Sequence, residues 1–351
     1  MKKENFFLLS LFVLIGLSHL LFLALVSYTE KNSYLWELAR NRKIPIQNYE
    51  LGIIGDSQFL SGIIPSKLGI PVNKILFLAR PAEMPESIYL RLLELKKEKN
   101  LPKKILINLS PITTSKNEIT ESNRNLVQNF SSFSFEILYN KRLSSFYLKN
   151  LTGGIKYILS SIFPVLKLRS NLITEMKLIP SSERIDLSSR ILTDYLEIDP
   201  IQNLLYQKSY NEKIKIYQEK NHYSWNWSGN TSCFPMKTEL SSFLNFVFSN
   251  YRKESLEMYI EIGNLLKENN IEFLFVVIPF EKKAMEIVGF ENKLFPLETV
   301  LQKLELEFGK DKIYRVDKEK FLTEHFFDFT HLNFCGMNIL TNELSERLRR
   351  N

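Results

Sequence analysis

The sequence predicts an α/β protein built on a doubly wound, mainly parallel five-stranded sheet, with a helical insertion and an N-terminal transmembrane helix. Three observations predict it. Five short, nearly continuous apolar runs, each bounded by Pro, Gly or charge, read as strands buried on both faces, which is how parallel sheets are built. Segments with apolar groups at helical spacing alternate with these runs. Residues 6–28 form an apolar stretch interrupted by few polar residues, Gly16, Ser18, His19 and Ser27 among the breaks, and long enough to cross a hydrocarbon core.

Taken in order, Lys2 and Lys3 precede the apolar stretch, and its poor small-residue cleavage site points to an uncleaved signal anchor over residues 1–30. Lys31, Arg40, Arg42 and Lys43 follow closely, so local charge does not favour a cytoplasmic N-terminus, but long following domains translocate largely regardless of such charges. Tyr28, Tyr34 and Trp36 suit the membrane interface, and His19 reads as a bundle-facing or snorkelling residue. The strands fall at 51–54, 74–78, 104–109, 271–278 and 312–316. Helices are expected over 86–100, 252–269 and 296–308, with a last one, capped by Asn333, that buries Met337, Leu340, Leu344 and Leu348 and ends in Arg347, Arg349 and Arg350. Residues 31–114 and 251–351 thus form the two parts of one sheet domain. Residues 115–250 break the rhythm: they are Ser- and Asn-rich, aromatic and punctuated by Pro164, Pro180, Pro200 and Pro235, and read as a cap inserted over the carboxyl edge of the sheet.

Hydrophobic content of 44% with 24% charged residues in 351 describes a globular chain with a large core and excludes a disordered one. The net charge of +7 is scattered along helical faces without a basic run, which argues against nucleic acid as a partner and allows mild attraction to anionic lipid or polymer. Cys233 and Cys335 could pair in an oxidising compartment or remain apart, and no metal-ligand spacing occurs.

The chemistry-bearing stretch is Leu51-Gly52-Ile53-Ile54-Gly55-Asp56-Ser57-Gln58, an apolar run ending in a Gly-bearing turn and a hydroxyl. Such a turn exposes Ser57 at the carboxyl end of a strand, where open α/β sheets keep their ligands. Serine is a weak nucleophile and needs a base, which in turn needs an orienting group. Phe327-Asp328-Phe329-Thr330-His331 supplies both: the Asp328 carboxylate can receive the imidazole Nδ1–H and leave Nε2 to take the Ser57 proton. His222 and His325 are alternative bases, without a carboxylate spaced as Asp328 is from His331. In the cap, Asn221-His222-Tyr223-Ser224-Trp225-Asn226-Trp227 reads either as a carbohydrate platform, with His222, Trp225 and Trp227 touching substrate, or as an aromatic cluster packing the cap onto the core.

Gly55-Asp56-Ser57 early and Asp328-x-x-His331 late resemble the motifs of the SGNH (GDSL-like) hydrolase superfamily. His331-Leu332-Asn333-x-x-Gly336 is similar to the signature of its membrane-anchored branch: the lipoteichoic-acid D-alanylation protein DltD, the alginate acetylation proteins and, with the nearest plan, an uncharacterised spirochaete family. The likeness covers the anchor and roughly residues 50–112 and 251–350. It implies a flavodoxin-like sheet and an extracytoplasmic, periplasm-facing serine O-acyltransferase or esterase that acts on acyl groups of a cell-envelope glycan. Such a protein works beside a membrane-bound O-acyltransferase and needs no cofactor or metal. The resemblance also implies an oxyanion hole made by the Ser57 N–H, a Gly after the second strand and an Asn after the third. Here Ala82 stands nearest the Gly position, and no Asn-Asp pair follows the third strand, leaving Arg80, Ser110 and Asp56 as candidates to supply charge or hydrogen bonds. That departure keeps a second class open: a non-catalytic protein of the same fold that binds a polysaccharide or scaffolds an acyltransferase.

Overall fold

The structure, a computed structural model, describes residues 3–28, 46–79, 83–110, 155, 159, 162–163, 253–282, 295–326 and 330–350. The chain divides into two compact units, Met1–Ile44 with Asn123–Asn203, and Pro45–Ser122 with Leu204–Asn351. Most of the expected cap over 115–250 lies outside the described residues.

In the first unit, helix α1 runs Lys3–Tyr28. Its apolar side chains are exposed, Phe6, Phe12 and Leu20 among them. Among the described residues no helix is long and apolar enough to cross a membrane. The predicted transmembrane helix is therefore shown as a helix and nothing finer.

The second unit holds the sheet. Five parallel strands, β1 (Leu51–Ile54), β2 (Ile75–Phe77), β3 (Lys104–Asn108), β4 (Glu272–Val277) and β5 (Ile313–Arg315), lie in the order β2-β1-β3-β4-β5. The chain winds outward in both directions from β1 and β3, so the crevice at their carboxyl ends is the switch point of the sheet. Leu51, Ile53, Ile54, Ile75, Ile105, Leu106 and Ile107 are buried, which is why these strands read as unbroken apolar runs.

Alternation sends successive side chains to opposite faces. Leu51, Ile53, Leu106, Leu274 and Val276 join one cluster with Phe59 of α2 (Ser57–Gly62), Ile63 just after it, and Met337, Leu340 and Leu344 of α6 (Phe334–Arg350). On the other face α4 (Lys253–Glu268) packs between α3 (Pro85–Lys97) and α5 (Phe295–Phe308). There Tyr259 meets Phe275 edge-on at 5.9 Å, and Phe308 meets Phe273 at 5.5 Å.

The strand ends differ from expectation by about a residue because short 3-10 turns, Val72–Lys74 and Lys310–Lys312, absorb the lysines placed at the starts of β2 and β5. Helix α3 starts at Pro85, suited to a first turn, and stops at Lys97, two residues before Lys99 enters the left-handed region at φ 54°.

Candidate active site

The nucleophile's position is set by three consecutive residues. Gly55 leaves β1 where a side chain has no room, since a Cβ there would lie 2.4 Å from the Cβ of Asn108. The exits of β1 and β3 therefore touch. Asp56, with φ −86° and ψ −163°, caps α2 by accepting the Gln58 backbone N–H at 2.9 Å. Asp is among the strongest helix caps because its oxygen satisfies a first-turn donor. Ser57 is then the first helical residue, half-buried at the carboxyl edge.

The base is set by the run before α6. Leu332 bridges Phe326 in antiparallel fashion, and the Asn333 N–H donates to the His325 carbonyl at 3.0 Å. Asn333 Oδ1 accepts the N–H groups of Cys335 at 3.0 Å and Gly336 at 3.2 Å, while its Nδ2 donates to the Glu324 carbonyl at 2.6 Å. A Cβ on Gly336 would lie 2.3 Å from the His325 carbonyl oxygen, so the Asn-x-x-Gly spacing is what lets this loop fold back on the helix start. The loop delivers His331, buried to 7% exposure.

His331 Nε2 lies 2.8 Å from Ser57 Oγ across 274 positions of sequence. His331 Nδ1 lies 3.2 Å from Thr330 Oγ1. With the ring protonated at Nδ1, that N–H donates to Thr330 Oγ1 and Nε2 accepts the serine hydroxyl. This is the tautomer a general base needs.

Behind Ser57 sits a buried polar knot. Asp56 Oδ1 accepts from the Gln58 N–H and from Asn108 Nδ2, and Oδ2 accepts from Ser110 Oγ at 2.8 Å. The carbonyl of Asn108 accepts from the Tyr259 hydroxyl at 3.3 Å. Burial pushes the Asp56 carboxyl above its ordinary range, against the bonds from Ser110 and the Gln58 N–H, the charge of His331 and the bond from Asn108, which pull it back. The knot fastens the turn carrying Ser57 to the end of β3.

Ser57 and His331 are thus brought together, with Asp56 and Ser110 immediately behind. Ser110 gives its hydroxyl to Asp56, whereas it was expected as an oxyanion donor. His325 spends Nδ1 accepting the Leu322 N–H at 3.0 Å, within its own turn. Asp328, Arg80, Ala82, His222, Trp225 and Trp227 lie outside the described residues. Glu83, two residues before α3, is buried and accepts from Ser87 Oγ at 2.8 Å and Arg91 Nη2 at 3.1 Å, which ties it to that helix. Gln58, Asn108 and Thr330 were not read from sequence as site residues. For Asn108 a signal existed, a polar amide ending a buried strand at the switch point.

Cys335 is disulfide-bonded. Among the described residues no group of three or more His, Cys, Asp or Glu side chains could hold a metal ion. Fold and site together define a five-stranded parallel α/β protein with a Ser–His pair at the sheet's switch point. No family model and no curated protein matches the chain.

Proposed function

We propose that this protein is a membrane-anchored, extracytoplasmic serine O-acyltransferase or esterase of the SGNH type, acting on acyl groups of a cell-envelope glycan. The observation that carries the reading is the 2.8 Å approach of Ser57 Oγ to His331 Nε2 at the β1–β3 crevice. A hydroxyl and an imidazole at hydrogen-bond distance meet the geometric requirement for a nucleophile and its base.

In the proposed reaction Nε2 takes the hydroxyl proton as Oγ bonds to the acyl carbon of the donor ester. The tetrahedral intermediate collapses, the bond to the leaving oxygen breaks, and the imidazolium returns its proton to that oxygen. The acyl group now sits on Ser57. A glycan hydroxyl, for transfer, or water, for hydrolysis, then loses its proton to Nε2 and attacks the acyl carbon, and Ser57 regains its proton on release. Asp328 is proposed to accept from Nδ1 of the imidazolium, beside Thr330 Oγ1. The Ser57 N–H and the Ala82 N–H, together with Arg80, are the proposed oxyanion donors; losing one such donor typically raises a barrier by about 3–4 kcal/mol.

Three features support the setting. The apolar side chains of α1 are exposed, a burden in water and none in lipid, and the apolar run continues in sequence beyond Leu21. Cys335 is disulfide-bonded, as suits an oxidising compartment on the periplasmic side. A tethered acyl carrier would take its acyl group from a membrane-bound O-acyltransferase in the same bilayer, with no cofactor or metal of its own.

A second reading is favoured by one observation: the Asn108 amide is committed to Asp56, so the side chain ending β3 is not turned to an oxyanion. On that reading the protein binds a glycan or scaffolds the acyltransferase without chemistry. An organophosphonate probe separates the two. The enzyme reading expects a single adduct on Ser57 in the wild type and none in Ser57→Ala with an unchanged fold; an unlabelled wild type, or an adduct elsewhere, refutes it.

A further inference from the structure

One buried amide beside the nucleophile takes no part in the chemistry above. Gln58 is 1% exposed. Its side chain runs from α2 to the loop that carries the base, where Nε2 donates to the Thr330 carbonyl at 3.2 Å. Two parallel rungs therefore join segments about 270 positions apart, Ser57 to His331 and Gln58 to Thr330. Both uprights are themselves held: the Gln58 backbone N–H by Asp56, and the segment after Thr330 by the Asn333 cap of α6. Thr330 meets the imidazole directly as well, its hydroxyl 3.2 Å from Nδ1.

The second rung is a poor choice for stability alone. Gln58 Oε1 is buried and has no partner among the described residues. An acceptor taken from water without replacement destabilises the fold, and an unbranched apolar side chain of the same length would fill the space without that penalty. What the amide adds over such a side chain is the donor to the Thr330 carbonyl.

We infer that Gln58 is a positioning residue: by holding the Thr330 carbonyl it fixes the backbone that carries His331, and so keeps Nε2 at bonding distance from Ser57 Oγ before any substrate arrives. Its effect on rate rests on the acyl-transfer reading; its effect on geometry does not.

The test uses the full chain with Gln58→Met, which keeps length and removes the donor, and Gln58→Glu, which keeps shape and presents no donor as a carboxylate. Two readouts run in parallel: the rate of organophosphonate labelling at Ser57, and the 15N resonance of His331 Nε2, with Ser57→Ala as the reference for a ring lacking the serine bond. The expected result for both variants is labelling slowed about tenfold to a hundredfold, the range for small misplacements of reacting groups. Probe affinity should hold, and the resonance should move toward the Ser57→Ala position. Gln58→Met should keep a cooperative melting transition, so that slowed labelling is not loss of the fold. Wild-type labelling with an unmoved resonance overturns the inference and leaves the acyl-transfer reading intact. An unlabelled wild type whose resonance still moves in the variants upholds the strut and refutes the chemistry. Slower labelling with an unmoved resonance also overturns it, because the loss would then not pass through His331.

Discussion

On one face of the sheet, α2 and α6 lie over Leu51, Ile53, Leu106, Leu274 and Val276; on the other, α4 packs between α3 and α5 and closes an aromatic layer around Phe273 and Phe275. Both layers are buried to a similar depth. Their helix starts differ. On the first face Ser57 opens α2, and His331 lies just before the Asn333 cap of α6, so the two helices that bury this face also aim the reacting pair. On the second face the polar groups near the helix starts, such as Glu83 with Ser87 and Arg91, satisfy one another in the interior. A packing layer therefore becomes a site when its helices begin at the sheet's switch point and leave a side chain each over the carboxyl edge.

The largest effect expected is on chemistry without packing. On the proposed chemistry, Ser57→Ala should reduce acyl-ester turnover on the order of a millionfold, as in a serine hydrolase stripped of its nucleophile. The melting transition should stay in place, measured by ester assay and calorimetry together. A lowered melting point would mean that Ser57 is part of the core rather than at its rim.

Next come the two layers. Leu340 of α6 and Leu304 of α5 are both fully buried, so Leu340→Ala and Leu304→Ala should each cost about 2–5 kcal/mol in denaturant unfolding. Only Leu340→Ala should also slow labelling of Ser57, because Leu340 packs on Gly62 at the end of α2. Equal slowing from both would erase the distinction between the faces.

Asn333→Ala removes a cap and should cost about 0.5–2 kcal/mol. Its further mark is a loosened histidine loop, read as faster amide exchange at 330–333 than at the start of α4.

The smallest expected effect concerns Asp56. Its carboxyl is raised in the folded protein above the ordinary 3.8, so folding takes up a proton between the two values. The stability this adds is fully present below pH 3.8 and is lost as pH rises through the folded value. Replacing the group by Asp56→Asn should flatten the dependence of melting temperature on pH in that window; an unchanged slope would show that Asp56 titrates alike in both states.

What could be read from the residues follows their reach along the chain. The strands were legible because burial on both faces makes each an apolar run, and the Asn333 cap because its partners, Cys335 and Gly336, are two and three residues away. Ser57 and His331 were legible because turn chemistry marks each one locally. Helix α2 was not: Ser57–Gly62 is too short to show a period. Asn108 and Gln58 were passed over because their partners, Asp56 and Thr330, lie 52 and 272 positions away, and no local pattern encodes a contact at that range. The apolar run of α1 was plain in sequence, and the structure shows it as a helix.

The central claim is that Ser57 and His331 act as nucleophile and base, and the acyl-enzyme itself tests it most directly. Brief exposure of the full chain to an activated acetyl ester, followed by peptide mass spectrometry, should place one acetyl group on Ser57 in the wild type and leave it absent in His331→Ala. Acetyl on a different residue, or on Ser57 to the same extent in His331→Ala, would contradict it.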